Sequence, residues 1–139
     1  MSDEKLIFVE EADVETQVFD WGRLSWVSEP RVTAAEKFSA GVVKLAPGKG
    51  HDSHNHPGVE EILYVVSGHG HQVVDAADGR QEREIGPGVL VHIPPDIFHS
   101  TVNTGDEDMV LLAVYAPPGP EAELRAMDGV EIEPPERAR

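Results

Sequence analysis

Five of the seven histidines in this 139-residue chain, His51, His54, His56, His69 and His71, fall close together, and His54-Asn55-His56 is followed by Glu61. Imidazole nitrogens and carboxylate oxygens are ligands for borderline and hard cations, so this grouping points to a bound metal ion. Residues two apart in a strand face the same side, which lets His54 and His56 aim two rings at one point. Pro57-Gly58 then bends the chain so that Glu61 enters the next strand with its carboxylate inward and Glu60 facing the other way. His99, just after the Pro94-Pro95-Asp96 turn, is the best-placed fourth donor. The chain has no cysteine, which excludes disulfides, thiolate catalysis and thiolate-held metals. Three imidazoles and a carboxylate suit one divalent transition metal, Fe, Mn, Ni, Co, Cu or Zn, without choosing among them. A six-coordinate ion on four such ligands keeps two positions for water, substrate or O2, whereas tetrahedral zinc would be closed.

The other candidate groups are less constrained. His92, in the apolar run Val89-Leu90-Val91-His92-Ile93, could face the interior or solvent and is the candidate catalytic residue. His69 and His71 share one strand face, but the turn at Gly68 leaves their parity relative to Glu61 open, and His51 sits in a Gly-rich loop where solvation is expected. Tyr64 and Tyr115 read as core residues, Trp21 and Trp26 as core or dimer-contact residues, and Asn103 as a side chain that satisfies backbone groups at its turn. No phosphate-cradling Gly loop and no Ser/His/Asp nucleophile arrangement can be singled out.

The elements that must position these groups are short. Thirteen Gly and eleven Pro cut the chain into β-rich runs at 37–46, 61–66, 70–75, 88–93 and 108–116. A hairpin is expected around Ala76-Ala77-Asp78-Gly79-Arg80, and residues 20–27 read as a strand that buries Leu24 and Trp26. One helix is expected, Glu121 to Met127, and residues 131–139 read as frayed. Many short strands with tight turns mean an all-β sandwich or barrel, here one domain over 1–139 with its core barrel at about 37–116, N-terminal strands at 5–27 and an extension at 117–139. That extension could fold over one mouth of the barrel. The net charge of −15 repels phosphate backbones and anionic lipid, so nucleic-acid binding is not expected. No apolar run approaches a membrane span and the start lacks a secretory pattern, giving the expectation of a cytoplasmic protein without a membrane partner.

Residues 48–103 resemble the two sequence motifs of the cupin superfamily. The first is matched throughout: Gly48, five residues, His54-Asn55-His56, four residues, Glu61, six residues, Gly68. The second is matched by Gly88, Pro94, His99 and Asn103, with Asp96 where the family usually has Gly. Asp is among the residues that best tolerate left-handed backbone angles, so the turn can survive this departure. The resemblance implies a small antiparallel β-barrel, the double-stranded β-helix or jelly roll, with a metal held by His54, His56, Glu61 and His99. It also implies a small-molecule ligand or substrate and a homodimer. Cupins include dioxygenases, isomerases and epimerases, lyases and non-catalytic binders of small molecules or sugars. The favoured expectation is an oxygenase-like enzyme acting on a small oxygenated metabolite.

Overall fold

The computed structural model describes residues 4–137. A 3-10 turn at Glu11–Asp13 precedes β1 (Thr16–Phe19), β2 (Gly22–Ser28), α1 (Pro30–Thr33), β3 (Ser39–Leu45), β4 (Gly50–His54) and β5 (Glu60–Ser67). There follow β6 (Gly70–Ala76), β7 (Gly79–Ile85), β8 (Leu90–Ile93), β9 (His99–Asn103), β10 (Met109–Ala116), α2 (Pro120–Arg125) and β11 (Glu131–Glu133). All pairings are antiparallel, in a seven-stranded sheet ordered β11-β1-β2-β3-β10-β5-β8 and a four-stranded sheet ordered β4-β9-β6-β7. This is the all-β, jelly-roll architecture expected from the sequence.

Strict alternation builds the interior. Along β3 and β10 every second residue is buried, and Val43, Leu45, Met109, Leu111 and Ala113 meet Leu63 and Val65 of β5 between the sheets. Trp26 is 1% exposed, and a side chain on Gly41, its partner across the strands, would run into Leu24 Cδ1 and press on the Trp26 ring. Its indole N–H donates to Gln17 Oε1 at 3.0 Å, and Gln17 Nε2 donates to the Glu121 carbonyl at 3.2 Å, so a buried relay ties α2 to the core. The tie is reinforced by Arg125, which bonds Glu15 at 2.8 Å and the buried Glu29 at 2.6 Å.

Several local expectations are corrected. The N-terminal strands lie within residues 16–28, and the strand expected over 20–27 is β2, which begins at Gly22 after a turn at Asp20-Trp21. The hairpin turn is Ala77-Asp78, because Ala76 pairs with Gly79 and the glycine opens the returning strand. A second short helix, α1, begins at Pro30 with the Glu29 carboxylate capping Arg31 N–H at 3.0 Å. Residues 131–133, read as frayed, pair with β1, and Arg137 bonds Asp13 at 2.9 Å. Of the two tryptophans read as core or dimer-contact residues, Trp26 belongs to the core, and the half-buried Trp21 stacks on Phe19 and His51. Tyr64 lies on the outer face at 42% exposure, since it follows Glu60 and Ile62 on β5.

A candidate metal centre inside the barrel

His54 ends β4 and pairs in register with His99, the first residue of β9. His56 lies beyond the strand, in the turn leading to β5. This differs from the expected continuous strand, and the chain is held there by Asp96. Asp96 adopts φ 71°, the left-handed angle its residue type tolerates; its carbonyl accepts from Asn55 Nδ2 at 3.0 Å and its carboxylate from Gly58 N–H at 2.9 Å. The two motif loops are thereby clasped to each other. Glu61 faces inward from β5 and is 3% exposed, while Glu60 faces outward, as alternation requires.

The nitrogens of His54, His56 and His99 that could ligate an ion lie within 4.8 Å of one another. Glu61 Oε1 is 3.2 Å from His99 Nε2 and 3.6 Å from His56 Nε2. The ring orientations are fixed from behind. Nδ1–H of His54 donates to the Asp52 carbonyl at 2.8 Å and that of His99 to the Ile97 carbonyl at 3.0 Å. Because a carbonyl only accepts, each Nδ1 carries the proton and each Nε2 is left with a bare lone pair. The buried Tyr115 phenol also lies beside the Glu61 carboxylate, lining the same space. Burial, then the neighbouring carboxylate, push that phenol well above its usual range, so it stays a donor.

Whether these residues suit a cation can be judged from what they leave unpaired. Among the described residues, His56 Nε2, Glu61 Oε1 and His99 Nε2 are buried polar atoms without a hydrogen-bond partner, together with Ser39 Oγ, whose residue pairs with Tyr115. The distance from His99 to Glu61 permits a bond but the alignment does not. Each orphaned group costs roughly 1–3 kcal/mol of desolvation, so three converging on one point make a poor protein interior and a good cation site. The donor set fits a divalent ion. Burial lowers His56 to about 4 and lowers His54, keeping both rings neutral and able to donate lone pairs. At His99 burial works downward as well, but Glu61 outweighs it and raises the ring.

Two groups missed by the sequence reading join the site. His51, expected in solvent, is on β4 paired with Thr101, and its ring lies between Trp21 (4.0 Å between centroids) and His54 (4.9 Å). Burial lowers it to about 3. The signal was its odd spacing from His54 across an irregular strand, which a register-blind reading cannot resolve. Tyr115 is a core residue as expected, but also touches Glu61. His51, His54, Glu61, His99, Thr101 and Tyr115 line a cavity of about 30 Å3 floored by Val and Leu side chains of β3, β5 and β10. That is room for about two water-sized groups.

The remaining candidates lie elsewhere. His92 pairs with Ile62 on the outward face of β8 and bonds Glu60 at 2.5 Å, so the structure does not bring the candidate catalytic residue to the donors. His71 is on the outer face between Glu84 (2.7 Å) and Glu82 (3.0 Å), and His69 is exposed beside Gly86. Asn103 behaves as expected: Nδ2 donates to the Leu45 and Glu107 carbonyls, and Oδ1 accepts from Gly105 N–H.

The family model described as "Cupin domain" matches residues 41–115. Glucose-6-phosphate isomerase of Thermococcus kodakarensis is 41% identical over 68 residues, 48% of this chain and 35% of that one. The chain thus spans about a third of the length of that relative. Protein SchB of Streptomyces halstedii is 33% identical over 104 residues, 75% of this chain and 72% of its own length. Among solved structures, an oxalate decarboxylase of Lactobacillus farciminis in a formate complex superposes with a TM-score of 0.70 at 27% identity, covering 76% of this chain and 32% of that one.

Proposed function

The chain belongs to the cupin domain family, and from that premise we propose that it is a metal-dependent enzyme in which His54, His56, Glu61 and His99 hold one divalent transition ion. The observation that carries this reading is the set of three buried, partnerless donor atoms that meet beside His54. When bound, such an ion supplies Lewis acidity toward a substrate oxygen and, if redox-active, electron exchange with O2. The chain's own groups do the rest. The Asp52 and Ile97 carbonyls orient two rings, the protonated Tyr115 phenol flanks Glu61, and the apolar floor keeps bulk water from the reacting atoms.

A space of about 30 Å3 beside the donors admits dioxygen or the two-atom oxygen edge of a metabolite whose body lies outside it. This supports an oxygenase-like reaction on a small oxygenated molecule. The similarity to glucose-6-phosphate isomerases supports a second reading, metal-assisted proton transfer between adjacent oxygenated carbons. An oxygen electrode separates them. Protein loaded with Fe(II) or Mn(II) is assayed against panels of hydroxy acids, catechols, diketones and sugar phosphates. O2 uptake matched to substrate loss supports the first reading and anaerobic turnover the second. Saturable binding with neither contradicts both and leaves a binding module.

We propose, further, that the protein is a homodimer. The outer face of β3, β10, β5 and β8 carries in-register rows of small and apolar residues, Val42-Leu112-Tyr64-Leu90 and Ala40-Val114-Ile62. A second copy is the partner of choice because the two-fold contact lets one such face cover another.

A further inference from the structure

A cavity of about 430 Å3, within the range of small-molecule sites, lies between the free edges of β7 and β8. Its apolar walls are Val74, Ile85, Val89 and Val91. It is one residue away from the donor cluster: Val74 pairs with His99, Gln72 with Thr101, and Val91 with Leu63. The two spaces are divided by a buried side-chain pair, with Thr101 Oγ1 donating to Gln72 Oε1 at 2.5 Å. Thr101 lines the small cavity and Gln72 the large one.

The groove also has a charge. Arg83 lines it and forms no ion pair among the described residues, although the chain as a whole carries −15. Its Nε–H donates to the Glu84 carbonyl at 3.0 Å, which steadies the stem and leaves the terminal nitrogens free. The other ionic groups at the rim are engaged: Glu82 by Arg80 and His71, and His92 by Glu60. The register Thr101–Gln72–Arg83 crosses β9, β6 and β7, so Arg83 stands two strand spacings, about 10 Å, from the donor cavity. That is the span of one aromatic ring with a short side arm.

We propose that this groove binds the apolar body of an anionic metabolite, with its anionic group at Arg83 and its oxygenated end directed past the Gln72–Thr101 pair toward the donors. The part concerning the oxygenated end rests on the metal reading above; the groove and Arg83 do not. The occupant is a small aryl or alkyl acid, too large for the donor cavity alone.

The test uses two probes on the full chain, followed by calorimetry, with metal content measured on every sample. The first is 3-(3,4-dihydroxyphenyl)propionate, and the second is 3-phenylpropionate, which lacks the ring oxygens. Wild type is expected to bind both saturably. Arg83→Gln, at an exposed position, is expected to weaken both by about tenfold, the loss of one charge-assisted contact. Val74→Trp, which fills the groove, should abolish binding, with metal content unchanged in both variants. Equal affinities for wild type and Arg83→Gln overturn the proposal whatever the fate of Val74→Trp, as does failure of wild type to bind either probe. Arg83-dependent binding of 3-phenylpropionate to metal-stripped protein upholds the groove even if the metal reading fails. Intact metal without Arg83 dependence sinks the groove alone.

Discussion

Residues whose buried lone pairs meet no partner are tolerated only where a cation or proton completes them, and burial disfavours the proton at His51, His54 and His56, while Glu61 favours it at His99. His51 and His56 titrate at about 3 and about 4 in the folded chain, against 6.5 for a free imidazole. A histidine lowered in this way contributes stability that is complete above 6.5 and is lost as pH falls toward the folded value, because the unfolded chain then binds more protons. Metal-free protein is therefore expected to lose denaturation free energy progressively from about pH 6.5 downward, read from urea midpoints. A flat profile between pH 7 and 5 would contradict the burial of these rings. At this scale the sequence was most informative. His54, His56, Glu61 and His99 could be picked out because motif spacing and the parity of Glu61 on β5 are local properties, although the strand parity expected of His54 and His56 fails, since His56 lies in a turn. The parts of His51 and Tyr115 were hidden, since each depends on a neighbour from another strand: Trp21 against His51, and Glu61 against Tyr115. His92 was misjudged because parity within a short apolar run does not say which side of the sheet is covered.

At the scale of elements, the clasp between the two motif loops has the clearest consequence. Asp96 holds a left-handed angle and supplies both acceptors that fix the His56 turn, the carbonyl through backbone and the carboxylate through its side chain. Asp96→Ala keeps the strained angle and deletes the bond to Gly58, and should cost about 1–2 kcal/mol in chemical denaturation while weakening metal affinity. Asp96→Gly removes the strain and should recover part of the stability but not the affinity. Equal metal affinity in all three proteins would show that the clasp does not position His56. The core strands were readable from β-branched runs between Gly and Pro clusters. The short elements were not: β11 exists only because β1 offers it an edge, and α1 only because Glu29 caps it. The C-terminal extension, which the sequence allows to fold over one mouth of the barrel, is tied to the core through Pro120, Leu124 and the Gln17 relay.

For the whole molecule, the acidic surface keeps copies apart except where apolar area can outweigh it, and the outer face of the larger sheet is the place that can. Wild type should scatter light as a particle of about twice 15.1 kDa at micromolar concentration. Tyr64→Arg combined with Leu90→Asp should shift it to monomer without loss of metal. A wild-type monomer would remove the homodimer from the account. The sequence left Trp21 and Trp26 open between core and dimer contact, because large aromatics in an N-terminal segment carry no mark of which layer covers them. No helix among the described residues is long and apolar enough to cross a membrane. The most direct test of the central claim is elemental analysis, with anomalous scattering to place the ion, on wild type, His54→Ala and His99→Ala purified without added metal. The account predicts one transition ion per wild-type chain at the His54, His56, Glu61 and His99 donors, and occupancy lost or sharply reduced in both variants whose far-ultraviolet dichroism is unchanged. Full occupancy in the variants, or an ion bound elsewhere, would contradict it.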